Sequence, residues 1–197
     1  MSTSPQPQEA AACGFNTLGM FLSRLARGGR SEILDLGPVS GRSIEFLAGQ
    51  SGFRVRVEDL CRQAKKGFSL ELVEAIELPQ GFFDGVFLWN LLDCFTPAPG
   101  RRLVERLFAA LKPGGLILAF FDRFSGPGKA KQFNLLGPEG VLVREMDSGA
   151  DFRSLANREV MECFGAFDVL SSFVLKSGLR EFLFRRPYAV AWPRDPG

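Results

Sequence analysis

The chain has 197 residues, of which 46% are hydrophobic and 23% charged, and its formal net charge is +2. These values are typical of one ordinary folded domain, and so small a net charge argues against nucleic acid or an anionic membrane as partner. The sequence contains no histidine, which excludes a Ser-His-Asp triad, a histidine base and histidine metal ligands, so no metal site is predicted.

The first half of the chain alternates between strand and helix patterns. Residues 1–14 predict a disordered lead-in, and a helix follows that ends at Gly28-Gly29. The next segments predict a strand, a helix and a second strand, in the order SEILDLG, GRSIEFLAG and FRVRVEDL. The segment FSLELVEAIELP is ambiguous between a helix and a third strand.

The second half continues the alternation and closes with a hairpin. The apolar segment FFDGVFLWNLLDCF predicts a strand that enters a loop, and RRLVERLFAALKPGG predicts a helix that ends at Gly114-Gly115. LILAFFD predicts a strand covered on both faces. Residues 123–150 predict a connector or lid, NREVMECFGAF a helix, and the last two apolar segments an antiparallel pair.

This order predicts an α/β fold, with an open, mostly parallel sheet that has one antiparallel edge and helices on both faces. We expect a single domain over residues 15–190, followed by a tail at 191–197. No apolar run approaches the roughly 20 residues of a membrane span. The cysteines are Cys13, Cys61, Cys94 and Cys163, and they form no CxxC pair. Because no secretory signal is apparent, we expect free thiols and a cytoplasmic protein.

The segment ILDLGPVSGRS, residues 33–43, is the strongest candidate for a ligand-binding loop. In an open α/β sheet, ligands bind outside the carboxyl ends of the strands, where this loop is expected to lie. Gly37 and Gly41 allow the backbone to approach a ligand, and the following helix offers unpaired N–H groups. The G-x-G-x-x-G fingerprint of dinucleotide sites and the G-K-[ST] of phosphate loops are both absent.

The same loop resembles the first motif of class I S-adenosylmethionine-dependent methyltransferases, which is D-x-G-x-G-x-G after a strand. Asp35, Gly37 and Gly41 match that motif, whereas Val39 stands where the family has its middle glycine. Three further segments resemble later family motifs in the correct order: VRVEDL, FDGVFLWNLLDCF and LFAALKPGGLILAFF. The resemblance spans roughly residues 33–187 and extends to uncharacterised bacterial members. It implies a Rossmann-like methyltransferase fold with a seven-stranded sheet and an antiparallel C-terminal hairpin.

The resemblance also implies a set of cofactor-binding residues. The loop would lie beneath the methionine part of S-adenosylmethionine, and Asp35 would hold its ammonium group. An acid at the end of the second strand would accept from the ribose hydroxyls, but both Glu58 and Asp59 fit this role. Residues after the fourth strand would contact cofactor or substrate, although Asn90 is equally consistent with a turn residue. The predicted cofactor contacts are Asp35, Gly37, Pro38, Gly41, Glu58, Asp59, Leu60 (beneath the adenine), Asn90 and Leu91.

The function implied is methyl transfer from S-adenosylmethionine to an unidentified small-molecule acceptor, with S-adenosylhomocysteine as product. The displaced sulfur leaves without charge, so catalysis depends mainly on in-line positioning, and no catalytic base is named. The alternative is a methyltransferase-like protein that binds the cofactor or a partner and transfers nothing. Neither nucleic acid nor membrane is expected as a partner, and the acceptor and oligomeric state stay open.

Overall fold

The computed structural model describes residues 11–63, 67–122, 129–138, 140–147 and 153–188. Strands and helices alternate along most of the chain, as the sequence predicts, although the fifth, sixth and seventh strands follow one another directly. The strands are β1 (Ala11–Gly14), β2 (Ser31–Asp35), β3 (Phe53–Val57), β4 (Phe83–Trp89), β5 (Leu111–Asp122), β6 (Lys129–Leu135), β7 (Gly140–Asp147), β8 (Asp168–Val174) and β9 (Leu179–Arg185). The helices are α1 (Asn16–Ala26), α2 (Gly41–Ala48), α3 (Leu60–Gln63), α4 (Leu70–Ala75), α5 (Pro97–Ala110) and α6 (Asn157–Cys163), with a 3-10 turn at Leu91–Cys94.

The main sheet has the strand order β3-β2-β4-β5-β9-β8. Its first four strands are parallel, whereas β9 is antiparallel to both β5 and β8. This arrangement confirms the mostly parallel sheet and the antiparallel C-terminal hairpin. Alternate residues of β4 enter two separate cores, as the period of a strand requires. Val86 and Leu88 pack towards the face that carries α5 and α6, and Phe87 and Trp89 towards the face that carries α1.

Among the described residues the main sheet has one strand fewer than the predicted seven, because the ambiguous segment forms helix α4 instead of a strand. The side chain of Ser69 accepts a hydrogen bond from the Leu72 amide and so caps the helix. Val73 and Ile76 both enter the core, and a spacing of three residues places two side chains on one face of a helix but on opposite faces of a strand. In the described part of the chain the main sheet therefore has six strands.

A second sheet of three strands has the order β1-β7-β6. The hairpin of β6 and β7 accounts for much of the predicted connector or lid at 123–150. Residues 11–14, which the sequence assigned to the disordered lead-in, instead pair with β7 as strand β1, a contact between distant segments that local pattern does not encode. Residues 1–10 and the predicted tail at 191–197 lie outside the described residues.

The Lys112-Pro113-Gly114-Gly115 segment lies within β5, although the sequence predicted that it ends the preceding helix. Leu111 pairs with Phe83 and Leu116 pairs with Gly85, so the residues between them form a bulge. Gly114 has a φ of 82° and donates its N–H to the Arg186 carbonyl at 2.8 Å. Helix α5 thus ends at Ala110, because the chain joins the sheet one residue later.

Candidate functional site

The predicted loop lies at the carboxyl end of β2, directly beside β4. Asp35 ends β2 and pairs with Phe87, and the Leu36 amide donates to the Phe87 carbonyl at 3.1 Å. Helix α2 begins at Gly41, and the hydroxyl of Ser40 accepts from the Ser43 amide at 3.3 Å. The same hydroxyl donates to Asn134 Oδ1 at 2.6 Å, so β6 is tied to the start of α2. The strand, loop and helix are those that the sequence predicts.

Asp35 is buried and already has two hydrogen-bond donors. Its Oδ1 atom accepts from Trp89 Nε1 at 2.6 Å and from the Gly37 amide at 3.0 Å. Burial raises the pKa of Asp35 to about 6, although both hydrogen bonds lower it, and the nearby charge of Asp59 raises it further. One oxygen of the carboxylate expected to hold an ammonium group therefore already accepts from the indole N–H.

Trp89 lies directly against Gly37. A Cβ atom added to Gly37 would lie 2.3 Å from Cδ1 of Trp89, so only glycine allows this contact. The indole stacks on Phe87 and on Phe133 of β6, at centroid distances of 4.9 Å and 5.3 Å, and the residue is 4% exposed. Trp89 also has a φ of 51°, which is unusual for a bulky residue and marks positions under structural constraint.

The two acids after β3 have different surroundings. Glu58 Oε1 accepts from Arg56 Nε at 2.9 Å and Nη2 at 2.7 Å, and so forms a two-bond ion pair. Asp59 Oδ2 accepts from the Val39 amide at 3.2 Å, and Asp59 Oδ1 accepts from the Arg62 amide at 2.8 Å. Asp59 therefore contacts the loop, whereas Glu58 pairs with its own strand.

The remaining predicted site residues divide between the loop and the core. Pro38 is half-buried beside the exposed Val39, and a Cβ added to Gly41 would have no neighbour within 4 Å. Leu60 and Leu91 are buried in the core on the α5 face. Asn90 is also buried. The structure thus gathers the loop, Asp59 and Trp89, and it leaves Leu60 and Leu91 without exposed surface for a ligand.

A buried polar cluster lies at the carboxyl ends of β4 and β5. Asp93 is fully buried, and its Oδ2 accepts from the Asp122 amide at 2.8 Å. The Asp122 carboxylate forms an ion pair with Lys131 of β6. Burial raises the pKa of Asp93 to about 7, and the charge of Asp122 contributes in the same direction. Sequence analysis missed Asp122, since an acid that ends an apolar strand resembles any other turn residue.

Two cavities lie away from the loop. One of about 320 Å³ is at the opposite end of the sheet, and one of about 200 Å³ lies between α5 and α6. Neither is lined by Asp35, Gly37 or Asp59. The first cavity is lined by groups that include Arg24, Arg27, Asp84, Lys112 and Tyr188, and the second by groups that include Leu92, Phe95, Arg101, Arg153 and Cys163.

Across the described ranges, no three His, Cys, Asp or Glu side chains are grouped in a way that could hold a metal ion. The helices described in the structure include none that is long and apolar enough to cross a membrane. No family model matches the sequence, and no curated protein sequence matches it.

Solved structures with a similar fold do match. A 1,6-didemethyltoxoflavin-N1-methyltransferase of Burkholderia thailandensis, solved with its substrate and S-adenosylhomocysteine, is 17% identical; the match has a TM-score of 0.53 and covers 87% of this chain and 77% of that one. The amino pentose methyltransferase CalS10 of Micromonospora echinaspora, solved with S-adenosylmethionine, is 16% identical at a TM-score of 0.53, over 87% of this chain and 90% of that one. The chain has the class I methyltransferase fold.

The methyltransferase fold is also shared by a protein that is named for another reaction. The [4+2]-cyclase SpnF is 11% identical, with a TM-score of 0.58 over 88% of this chain and 80% of that one. At these identities the similarity shows the fold alone, so the function has to be argued from the residues of this site.

The site residues fit the implied cofactor at one end of the loop more readily than at the other. The nucleoside end that the resemblance implies would carry Asp59, which is partly exposed, and the exposed Val39. The implied amino-acid end would consist of Asp35 and Gly37, which are both buried and in contact with Trp89. The residues at the nucleoside end are thus open to a ligand, whereas the Trp89 indole covers those at the amino-acid end.

Proposed function

We propose that this protein is an S-adenosylmethionine-dependent methyltransferase acting on a small molecule, with S-adenosylhomocysteine as product. The observation that carries the proposal is the contact between Asp59 and the Val39 amide at 3.2 Å. It places a carboxylate beside a glycine loop at the carboxyl edge of a methyltransferase-fold sheet, where such folds bind ligands. The small-molecule substrates named for the Burkholderia and Micromonospora enzymes support the acceptor class.

The Asp59 carboxylate is the better candidate for the ribose hydroxyls. Each of its oxygens accepts one backbone N–H, and a carboxylate oxygen has a further lone pair for a hydroxyl donor. Glu58 is the weaker candidate, because its Oε1 atom already accepts two bonds from Arg56. In this proposal, Asp59 orients the nucleoside, and the exposed part of the loop, Pro38 and Val39, flanks it.

The bound cofactor would supply a methyl group on a positively charged sulfur. Transfer of that methyl group needs little acid–base assistance, because the sulfur leaves without charge. The contribution of the chain is to hold cofactor and acceptor in line and to exclude water. The Asp35 carboxylate accepts a hydrogen bond from Trp89 in this structure. In the complex it would accept a hydrogen bond from the ammonium group at the amino-acid end of the cofactor. No residue is assigned as catalytic base.

We further propose a cytoplasmic location in a bacterium, in agreement with the unpaired cysteines Cys61, Cys94 and Cys163.

The second candidate is a protein with this fold that binds a nucleoside or a partner and transfers no methyl group. One observation favours it: the Asp35 and Gly37 groups that would hold the amino-acid end are covered by Trp89. The [4+2]-cyclase SpnF supports it as well, since its fold is similar and its name specifies a different reaction.

Calorimetric titration of S-adenosylmethionine and S-adenosylhomocysteine tests the proposal. We expect wild type to bind both ligands, and Asp59→Asn to bind about tenfold or more weakly, because a charge-assisted hydrogen bond contributes about 1.5–3 kcal/mol. Glu58→Gln is the matched control and is expected to stay within about twofold of wild type. No binding by wild type at high micromolar ligand would refute the proposal. Binding without methyl transfer to a panel of small acceptors would favour the second candidate.

A further inference from the structure

The two ends of the binding loop differ sharply in access. At one end, Asp35 and Trp89 are 5% and 4% exposed, respectively. At the other end, Val39 is 53% exposed and Asp59 is partly exposed. A ligand can approach the second end directly, whereas the first end is closed by a side chain of this protein.

Trp89 closes the first end through polar and apolar contacts together. Its Nε1–H donates to Asp35 at 2.6 Å, and its ring lies within van der Waals contact of the Gly37 backbone. Phe87 and Phe133 stack on the same ring with interplanar angles of 11°. These contacts engage the Oδ1 atom of Asp35 and fill the space above Gly37, and an amino-acid tail would require that space.

We propose that Trp89 is a specificity-determining residue, which makes the site prefer 5′-thionucleosides that lack the amino-acid tail over those that carry it. The inference rests on the proposed function, since it takes Asp35 and Gly37 as the amino-acid end and Asp59 as the nucleoside end. A tailless ligand leaves the indole–Asp35 hydrogen bond in place. A ligand that carries the tail has to displace the ring from Gly37 and from Phe133, which lowers its affinity by the cost of this rearrangement.

The structure also contains the features that would allow Trp89 to move. Its φ of 51° is unfavourable for a bulky residue, and strain of this kind is concentrated at ligand-binding and switching positions. An ammonium group that replaces the indole at Asp35 would make a charge-assisted hydrogen bond, which is stronger than the neutral N–H donor it displaces. Phe133 belongs to the β6–β7 hairpin outside the main sheet, so the ring can separate from Phe133 without disturbing the parallel strands.

Fluorescence of Trp89 measures the rearrangement directly. The sequence has two tryptophans, Trp89 and Trp192, so Trp192→Phe leaves Trp89 as the single emitter. The full chain is titrated with 5′-methylthioadenosine and, separately, with S-adenosylhomocysteine. We expect 5′-methylthioadenosine to bind about tenfold tighter and to leave the emission maximum unchanged. S-adenosylhomocysteine is expected to shift the maximum to longer wavelength, as the indole becomes exposed to water.

Removal of the indole tests the same inference through affinity. We expect Trp89→Leu to bind S-adenosylhomocysteine about tenfold more tightly than wild type, and 5′-methylthioadenosine within about twofold. Phe164→Leu is the matched control, because Phe164 is a buried ring in the core on the other face of the sheet. It is expected to leave the ratio of the two affinities unchanged. If Trp89→Leu does not fold, the fluorescence experiment alone decides.

The outcomes separate the two hypotheses. Equal affinities for the two nucleosides, or binding of S-adenosylhomocysteine with unchanged Trp89 emission, would overturn the role of Trp89 and leave the proposed function intact. Absence of binding of either nucleoside, to wild type and to Trp89→Leu alike, would refute the proposed function and the role of Trp89 with it. A preference for the tailless nucleoside that Trp89→Leu abolishes would support both.

Discussion

At the scale of single residues, the contact between Gly37 and Trp89 sets the shape of the candidate site. The indole lies where any larger residue at 37 would place its Cβ. Gly41, four residues later in the same motif, has open space around it. The packing therefore requires a glycine at 37, for the close approach of Trp89, but not at 41, which is the exposed first residue of α2.

This difference predicts that substitution by alanine changes the free energy of unfolding differently at the two glycines. Gly37→Ala should lower the free energy of unfolding by about 1–3 kcal/mol, because the added methyl group would overlap the Trp89 ring. Gly41→Ala should be neutral or slightly stabilising, since alanine favours the helix and meets no neighbour. Urea denaturation of both variants measures the two effects. The explanation fails if Gly37→Ala costs as much in a Trp89→Leu background as it does in wild type.

At the scale of elements, β9 connects two helices to the main sheet through adjacent charged side chains. Glu181 is fully buried, and its Oε2 accepts from the amide of Thr17 at 2.9 Å and from its hydroxyl at 2.6 Å. Arg180 donates to Asn157 Oδ1 at 2.6 Å and to the Leu155 carbonyl. Since alternate strand residues point to opposite faces, one strand anchors the start of α1 on one side and the start of α6 on the other.

The anchor of α1 can be tested with a substitution that keeps the shape of the side chain. Thr17→Val removes the hydroxyl donor from the buried Glu181 carboxylate and should lower the free energy of unfolding by about 1–3 kcal/mol. Ser23→Ala removes a hydroxyl hydrogen bond from the exposed side of the same helix and should change stability by less than about 0.5 kcal/mol. Thermal or urea unfolding monitored by circular dichroism compares them. Equal effects would show that Glu181 does not depend on this donor.

At the scale of the whole molecule, buried carboxylates at the functional edge of the sheet make stability depend on pH. Burial raises the pKa of Asp93 to about 7 and that of Asp35 to about 6, from an ordinary value of 3.8. At a pH between the ordinary value of 3.8 and the raised values, these carboxyl groups bind more protons in the folded protein than in the unfolded chain. The free energy of unfolding therefore falls as pH rises from about 4 to about 7.

Asp93→Asn should remove the larger part of this dependence. The amide oxygen can still accept from the Asp122 amide, and no charge has to be buried above pH 7. We expect the variant to exceed wild type by about 1–3 kcal/mol at pH 8 and to match it near pH 4. Denaturant unfolding at several pH values measures the difference, with the exposed Glu45→Gln as control. A constant difference between the variant and wild type at every pH would contradict the role of burial.

Much of the fold was predictable because its signals are local. The strand, glycine loop and helix at residues 31–48 follow from an apolar run, small loop residues and a capping serine. The pattern at residues 68–79 fits either a helix or a third strand, and the structure shows α4 there. The pairing of residues 11–14 with β7 is not predictable from local pattern, since the partners are about 130 residues apart.

The sequence by itself determined the fold class and predicted the candidate binding loop with two acids beside it, Glu58 and Asp59, because these depend on periodicity and motif spacing. The tertiary structure decided which side chains cover the loop. Trp89 and Asp35 are 54 residues apart, and they meet because β2 and β4 are neighbours and the β6–β7 hairpin packs a phenylalanine ring on the indole. A contact of this kind depends on strand order and on packing from a second sheet, which no local pattern encodes.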